Sequence, residues 1–377
     1  MVDKRKFKDI NVSLLGLGTM RLPCETEQKR ESNPNIDYDK AQSLVDLAYK
    51  NGVNYFDTAY MYHCGKSEAF IGYALKKYPR DTYFIADKLP IWMCDTKEDM
   101  KRVFDEQLER TGMDYFDFYL LHSLDNENFE KCEKFDAYDF LKQMQKEGKI
   151  KYIGFSFHGT VDDLRNIVSA HKWDFAQIQM NYLDWENQNA KMQYQILEEA
   201  GIPTIVMEPV RGGKLALVND EISDMFKSLK PNNSPASWAM GFVASHKNII
   251  TILSGMNSAE QMLDNLSTLT DFKPFTDIEY SLCEKAATII NKSEVISCTG
   301  CDYCQPCPKG IKISSFFSLY NSVVSGEIDI NSGRDKYNSY KVNPTACAWC
   351  NKCKNHCPQS ISVPDVLEGK VVKLFMQ

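Results

Sequence analysis

The chain has 377 residues, 43% hydrophobic and 25% charged, an ordinary globular composition with ample material for a core. Its formal net charge of -7 gives no general attraction to nucleic acid or to an anionic membrane, so neither is expected as a partner. No uninterrupted apolar run reaches the ~18 residues of a membrane span. The basic opening "MVDKRKFKDI" has no apolar stretch behind it, so no signal peptide is read and a cytoplasmic protein is expected.

From residue 13 to about 255 the chain alternates short β-branched or aromatic runs with amphipathic helical stretches. The strand candidates are "SLLGLGT" (13–19), "VNYFDTA" (53–59), "TYFIADK" (82–88), "FDFYLLH" (116–122), "IKYIGFSF" (150–157), "FAQIQMN" (175–181), "IPTIVME" (202–208) and "IITILSG" (249–255). Helices are expected at 38–50, 67–77, 97–111, 137–147, 161–170, 187–200, 234–246 and 258–269, with Ser234 and Pro235 supplying helix-start chemistry in the seventh. Eight strands alternating with helices argue for parallel βαβ units closed into a (β/α)8 TIM barrel. A dinucleotide-binding open sheet is disfavoured, because "GLGTMR" has Gly16 and Gly18 but no third glycine opening a helix. After residue 270 the alternation stops. One connecting helix is expected over 277–294, then a small, mainly helical segment, dividing the chain into 1–271 and 272–377.

In such a barrel the chemistry sits at the C-terminal ends of the strands. Reading those ends in order gives Asp57 with Tyr62, then Lys88, His122, Ser156, Gln179 and Glu208. Tyr62 can donate a proton to a carbonyl oxygen, although an unperturbed phenol is a weak acid at neutral pH. An ammonium close by favours the phenolate, which is the part open to Lys88. Asp57 can hold Lys88, and His122 can orient the carbonyl. The set describes acid-assisted carbonyl reduction with hydride arriving from elsewhere. Tyr60, Trp92, Tyr182 and Trp185 also follow strand ends, as pocket lining or as packing between loops.

These residues carry a family resemblance. "NYFDTAYMYHCGKSE", the lysine of "IADKL", "YLLHS", "IGFSFH" and "QIQMNYLD" resemble the aldo/keto reductase family over residues 12–270. The resemblance implies a nicotinamide nucleotide, NADH or NADPH, lying across the barrel top and passing hydride to a small carbonyl substrate. It gives Asp57, Tyr62, Lys88 and His122 the catalytic roles, and Ser156 and Gln179 contacts to the nicotinamide amide. It implies further nucleotide contacts at Gly18, Thr19 and Met20 after the first strand and at Met207 and Glu208 after the seventh. Ser254, Gly255, Gln261 and Asn265 complete that set after the eighth. Two places depart from the family pattern. "MEPVRGG" has Met207 where many members stack a tyrosine, and "SGMNSAEQMLDN" has Gly255 and Gln261 where a cationic clamp is common. A 2'-phosphate needs compensating charge, which leaves Arg211 and Lys214 as candidate phosphate contacts, or as solvated loop charges, and leaves a flavin as the alternative cofactor.

Five of the thirteen cysteines (Cys24, Cys64, Cys94, Cys132, Cys283) are scattered and read as small apolar residues. The other eight are clustered. Cys298, Cys301, Cys304 and Cys307 are spaced C-x2-C-x2-C-x2-C-P, and Cys347, Cys350, Cys353 and Cys357 are spaced C-x2-C-x2-C-x3-C-P. In a reducing compartment clustered thiols point to metal or redox chemistry. The second run matches the bacterial ferredoxin pattern, whose fourth cysteine ligates the other cluster. By that logic one 4Fe–4S cluster takes Cys298, Cys301, Cys304 and Cys357, and a second takes Cys347, Cys350, Cys353 and Cys307. Zinc would want paired knuckles separated by a longer stretch. Both runs also resemble a branch of the aldo/keto reductases with a C-terminal ferredoxin-like domain. Such clusters could relay electrons from a ferredoxin or other carrier, staple the domain, or sense redox state. The first alternative to carbonyl reduction is a flavin- or ferredoxin-linked one-electron oxidoreductase using the same barrel. The second is a redox-sensing nucleotide-binding protein.

Overall fold

The computed structural model describes residues 1–25, 35–292, 295–359 and 361–376. They fall into two compact units, one of Met1–Val210 with Val218–Glu284, the other of Arg211–Leu217 with Lys285–Gln377.

The first unit has ten strands: β1 (Lys4–Phe7), β2 (Ile10–Ser13), β3 (Leu15–Gly18), β4 (Tyr55–Asp57), β5 (Phe84–Leu89), β6 (Phe116–Leu124), β7 (Ile150–Phe157), β8 (Phe175–Gln179), β9 (Thr204–Met207) and β10 (Ile249–Ser254). Strands β3 to β10 close into a parallel barrel in sequential order, β10 pairing with both β3 and β9. Each expected run supplies one of these strands. Their Val, Ile, Leu and aromatic residues suit a sheet covered on both faces.

The helix starts follow local chemistry. The side chains of Asp37, Thr96, Thr160 and Ser234 each accept the backbone amide three residues on. Three features differ from expectation. Helices Asn126–Lys134 and Asp220–Leu229 are additional, and the segment expected as one helix over 187–200 is two, Asp184–Asn187 and Ala190–Glu199. The break falls at Asn189, whose φ of 53° is left-handed and cannot continue a helix. The third is the β1–β2 hairpin. It carries Phe7 and Val12 into a core with Tyr55, Phe118 and Phe175, and the Phe7 and Phe118 rings lie 5.4 Å apart. This hairpin packs against the barrel residues and leaves the strands' C-terminal ends for chemistry.

Helices Ser67–Leu75 and Lys97–Thr111 meet at a glycine. A Cβ on Gly72 would stand 2.0 Å from the Thr111 carbonyl oxygen, so only glycine permits this approach. The close approach brings Glu68 of one helix to Gln107 and Arg110 of the other.

The second unit is helical among its described residues, with Ile313–Val324 and Ile330–Ser339 as its longer helices. Phe316, Phe317, Tyr337, Val371 and Phe375 form its core, and six of the eight clustered cysteines pack against that core. The connecting helix spans Asp277–Asn291; residues 293 and 294 of the expected segment lie outside the described residues. No described helix is long and apolar enough to cross a membrane.

Candidate active site

Parallel strands end on one rim, so the last residues of β4 to β7 deliver their side chains to one place. Lys88 near the end of β5 is fully buried. Its ammonium donates to Asp57 Oδ1 at 2.7 Å and to the Thr58 carbonyl at 2.6 Å, with the two charged side chains 0% and 3% exposed. Burial raises the Asp57 carboxyl, and the facing Lys88 pulls it back down. Asp57 Oδ2 has no hydrogen-bond partner among the described residues.

Tyr62 opens a tight turn in which His63 and Cys64 adopt left-handed φ values of 49° and 54°. Lys88 Nζ lies 4.9 Å from the centroid of the Tyr62 ring. The expected lowering of the Tyr62 phenol is not found. Burial, then the carboxylates of Asp57, Glu208 and Asp87, push it well above 10.0, and Arg21 pulls the other way. The physical reason is that burial of the phenol outweighs the nearby ammonium, whose effect on Tyr62 is also opposed by the Asp57 carboxylate that pairs with it.

His122, on β6, is buried, with the Tyr62 ring 6.3 Å away edge-on and the Trp92 ring 5.0 Å away. Burial, aided by the Lys88 charge, holds its imidazole well below 6.5, so it is neutral at physiological pH. Its Nδ1 has no partner among the described residues. Ser123, the next residue, takes a left-handed φ of 56° and donates its amide to Ser156 Oγ at 2.7 Å, which ties the ends of β6 and β7. Of the four aromatic residues singled out in the sequence, Trp92 reaches this group. Tyr60 hydrogen-bonds Glu106, Trp185 packs with Phe242 and His246, and Tyr182 faces Phe226 and Phe242.

The expected nucleotide residues divide. Gly18, Met20, Met207, Glu208 and Gly255 stand at the ends of β3, β9 and β10. Thr19 is fully buried and donates to the Asp57 carbonyl at 2.8 Å, a structural bond within the rim. Asn265 donates to Ser254 Oγ at 3.0 Å, and Gln261 accepts the Asn257 amide at 3.0 Å. Gln179 donates to Asp184 at 2.7 Å, and Asn181 joins the same carboxylate at 2.6 Å while holding the Glu208 carbonyl. Arg211 does not belong to the barrel unit. It is buried in the second unit, where it donates to Gln359 at 3.2 Å; Lys214 donates to the Ile296 carbonyl there and is lowered by burial to about 8.

One residue escaped the sequence reading. Arg21, directly after Met20, pairs with Glu208 at 2.9 Å, and a Cβ on Gly255 would meet its side chain at 3.2 Å. It therefore places a cation among the ends of β3, β9 and β10. Its available signal was position alone, one residue beyond the expected contacts after the first strand.

None of the thirteen cysteines, clustered or scattered, is in a disulfide. Cys94, Cys132 and Cys283 are buried as expected of small apolar residues, whereas Cys64 is exposed in the turn after Tyr62. No three described His, Cys, Asp or Glu side chains close on a single metal ion. The clustered thiols nevertheless fall into two neighbourhoods. Burial pushes the Cys304 thiol up, reinforced by Cys301, Asp302, Cys298 and Cys357. Burial likewise raises Cys353, reinforced by Cys347, Cys307 and Cys350. Backbone amides point at sulfur in both runs, Gly300 to Cys298 at 3.3 Å and Trp349 to Cys347 at 3.5 Å. Left-handed residues (Gly300, Asp302, Trp349, Asn351) turn the chain within each run.

Comparison with known proteins agrees with this architecture. A model of the aldo/keto reductase family matches residues 14–288. The NADH-specific methylglyoxal reductase of Escherichia coli is 24% identical over 309 residues, covering 69% of this chain and 91% of that protein. Among solved structures, an aldo-keto reductase of Bacillus halodurans in its holo form superposes with a TM-score of 0.61 at 24% identity, over 76% of this chain and 96% of that one. An aldo-keto reductase of Klebsiella pneumoniae in complex with NADPH does so with a TM-score of 0.59 at 20% identity, over 76% and 95%. The matched span holds the closed barrel and every polar strand end described above: the chain belongs to the aldo/keto reductase family and is an oxidoreductase.

Proposed function

We propose that the barrel reduces a small aldehyde or ketone with NADH or NADPH, Tyr62 giving the proton, and that residues 272–377 hold two 4Fe–4S clusters. The observation that carries the first part is the wholly buried Lys88–Asp57 pair under the Tyr62 ring. Burying two charges costs several kcal/mol per ion before their attraction is counted. A barrel gains nothing structural from that arrangement at its rim, whereas proton transfer needs it.

A reduced nicotinamide, when bound, supplies hydride to the carbonyl carbon. The chain does the rest. The neutral His122 ring and the Tyr62 hydroxyl orient the carbonyl oxygen by hydrogen bonding. Tyr62 then passes its proton to that oxygen as the C–O bond gains electrons, so hydride and proton together yield the alcohol. Lys88 stabilises the tyrosinate left behind, Asp57 fixes Lys88, and water returns a proton to Tyr62. Trp92 over His122 excludes water from the carbonyl. The strand ends suit a nucleotide in part: Ser156 and Gln179 offer polar groups, and Arg21 offers phosphate a cation. The buried Oε2 of Glu208 lacks a partner among the described residues and can accept a donor. The test is Tyr62→Phe assayed with methylglyoxal and each nucleotide. Turnover falls at least about 100-fold while nucleotide binding, followed by quenching of tryptophan fluorescence, is kept. Unchanged turnover overturns the assignment.

For the clusters, the donor chemistry supports the reading. The eight clustered thiols, none of them in a disulfide, lie in two neighbourhoods, each drawing three from one run and one from the other, with amides directed at sulfur. The clusters supply one-electron capacity when loaded. Iron and acid-labile sulfide in anaerobically purified protein, with electron paramagnetic resonance after reduction, test this; absence of iron after reconstitution overturns it.

A further inference from the structure

The second unit differs in charge from the chain as a whole. Residues 285–377 carry eleven Lys and Arg against seven Asp and Glu, whereas the full chain carries 44 against 51. The acidic excess therefore lies before residue 285, and the cysteine-bearing segment is basic. Such asymmetry is a statement about partners.

The basic residues are not spread evenly with respect to the thiols. Lys309 and Lys352 line the same cavity as Cys307, Cys347, Cys350 and Cys353. Lys309, Lys352 and Lys354 are exposed, and so is Cys350. Between Cys347 and Cys350 stands Trp349, with 47% of its surface open to solvent on a left-handed backbone of φ 54°. A single exposed apolar residue is ordinary. A tryptophan held outward inside a metal-binding motif, beside an exposed ligand thiol and a lysine rim, is less so. The counterpart of Trp349 in the first run is Gly300, which has no side chain to present, and Cys298, Cys301, Cys304 and Cys357 are all half-buried, none as open as Cys350. The two thiol groups are therefore unequal, and the one built on the second run faces water.

From this we infer that an acidic one-electron carrier protein docks at the cavity that Lys309 and Lys352 line, with the exposed Trp349 and Lys354 of the same run as further contacts, and exchanges electrons with the group at Cys307, Cys347, Cys350 and Cys353. The inference rests on the two-cluster reading above. The reduced carrier loses one electron and the cluster gains it; no bond forms or breaks and no proton moves. Lysines at the rim attract the acidic partner, raising the encounter rate and making it salt-dependent. Trp349 supplies flat apolar contact, which suits the small, transient interfaces of redox partners.

The experiment uses the full-length protein with both clusters reconstituted anaerobically, and a purified acidic 2Fe–2S ferredoxin, chemically reduced, as the probe. Stopped-flow absorbance gives the bimolecular rate of ferredoxin oxidation, and calorimetry gives the affinity of the oxidised ferredoxin. At about 20 mM salt the double variant Lys309→Glu/Lys352→Glu slows transfer at least about tenfold and weakens binding, and the difference closes at about 0.5 M salt. The control Lys336→Glu/Lys373→Glu removes the same number of lysines from elsewhere on the unit and leaves the rate unchanged. Equal effects of the two variants, or a wild-type rate independent of salt, overturn the docking surface. Iron, sulfide and paramagnetic resonance are measured on every sample. Protein that takes up no iron sinks the cluster reading itself. Protein with intact, dithionite-reducible clusters but no lysine effect sinks only the docking.

Discussion

Gln107 is fully buried in the helix Lys97–Thr111, behind β5. Its side-chain amide donates to the Lys88 carbonyl and to Glu68 Oε1, both at 3.0 Å, and its oxygen accepts the Tyr119 hydroxyl. Asp87 Oδ1 accepts the Lys88 amide at 2.8 Å. Both peptide groups of Lys88 are thus held by buried side chains, while its ammonium is held by Asp57 and Thr58. Asp87 and Glu68 are themselves in contact, and burial raises both carboxyls. Two touching carboxylates in a dry interior do not both ionise, so the pair retains a proton, and Arg110 at 2.9 Å balances the remaining charge. Gln107→Leu keeps the approximate volume and deletes three hydrogen bonds at once. It leaves a carbonyl, a carboxyl oxygen and a phenol without partners, at about 1–3 kcal/mol each. Glu68 keeps Arg110, and losses within one network are not additive, so the expected loss is about 3–5 kcal/mol.

The kinetic consequence is separate from the stability one. A Lys88 peptide released at its carbonyl lets the ammonium drift, and a misplacement of about 1 Å costs on the order of 100-fold. The expected result is kcat reduced about tenfold to hundredfold with KM for nucleotide unchanged, because Gln107 is fully buried and its bonds go to Lys88, Glu68 and Tyr119. Urea unfolding followed by tryptophan fluorescence gives the first number and steady-state turnover the second. Gln107→Glu, which keeps the shape and one donor when protonated, falls between wild type and leucine. If Gln107→Leu unfolds within about 0.5 kcal/mol of wild type and turns over normally, the network neither stabilises the barrel wall nor positions Lys88.

Lys88→Met leaves Asp57 as a buried carboxylate without a cation and costs about 3–5 kcal/mol near pH 8. Burial already raises Asp57, and without Lys88 it rises further, so the folded variant binds a proton that the unfolded chain releases. Its stability then falls as pH rises, and the urea-measured loss must be smaller at about pH 5 than at about pH 8. With His122 held well below 6.5 and Tyr62 well above 10.0, neither titrates between those values, and kcat/KM for carbonyl reduction stays flat across that interval. A step inside it from either group, located by Tyr62→Phe and His122→Gln, contradicts the electrostatics. Gly72→Ala forces apart the helices that present Glu68 and Gln107, since its Cβ meets the Thr111 carbonyl at 2.0 Å; a loss of about 1–3 kcal/mol is expected, read as a lowered Tm. Cys357→Ser and Cys304→Ser each remove about half of the bound iron, and the double variant removes no more, because both thiols belong to one neighbourhood. Additive loss in the double variant refutes the crossed pairing.

The barrel was legible because one rule generates it. Apolar runs such as "FIADKL" and "FDFYLLHSL" are buried on both faces, and a polar residue ending each run must emerge on the rim. Asp57, Lys88 and His122 were readable for that reason, before any geometry existed. The β1–β2 hairpin was not readable. Its strands are four residues each, and Lys4, Arg5 and Lys6 make the first look like a solvated tail. Arg5 becomes intelligible only once its guanidinium is seen donating to the carbonyls of Ala244, His246 and Ile249, some 240 positions away. Such a pairing leaves no local trace.

Electrostatics failed in the sequence reading for a related reason. Placing Lys88 near Tyr62 predicts a lowered phenol only if the ammonium acts alone. Its charge is cancelled 2.7 Å away by Asp57, the residue that sequence reasoning had already assigned to hold it. The sign at Tyr62 is then decided by burial, with Asp57 and then Glu208 adding to it, and the partner of Glu208, Arg21, lies 187 positions earlier in the chain. A proton donor with a raised pKa stays protonated through the neutral range, ready to give its proton but slow to lose it to water. In the proposed mechanism Lys88 therefore acts after the proton has left Tyr62, when the tyrosinate needs a cation and the ion pair can share one. On that proposal the ground-state pair and the raised phenol are two faces of one arrangement, favouring the charge that appears during transfer over any charge present before it.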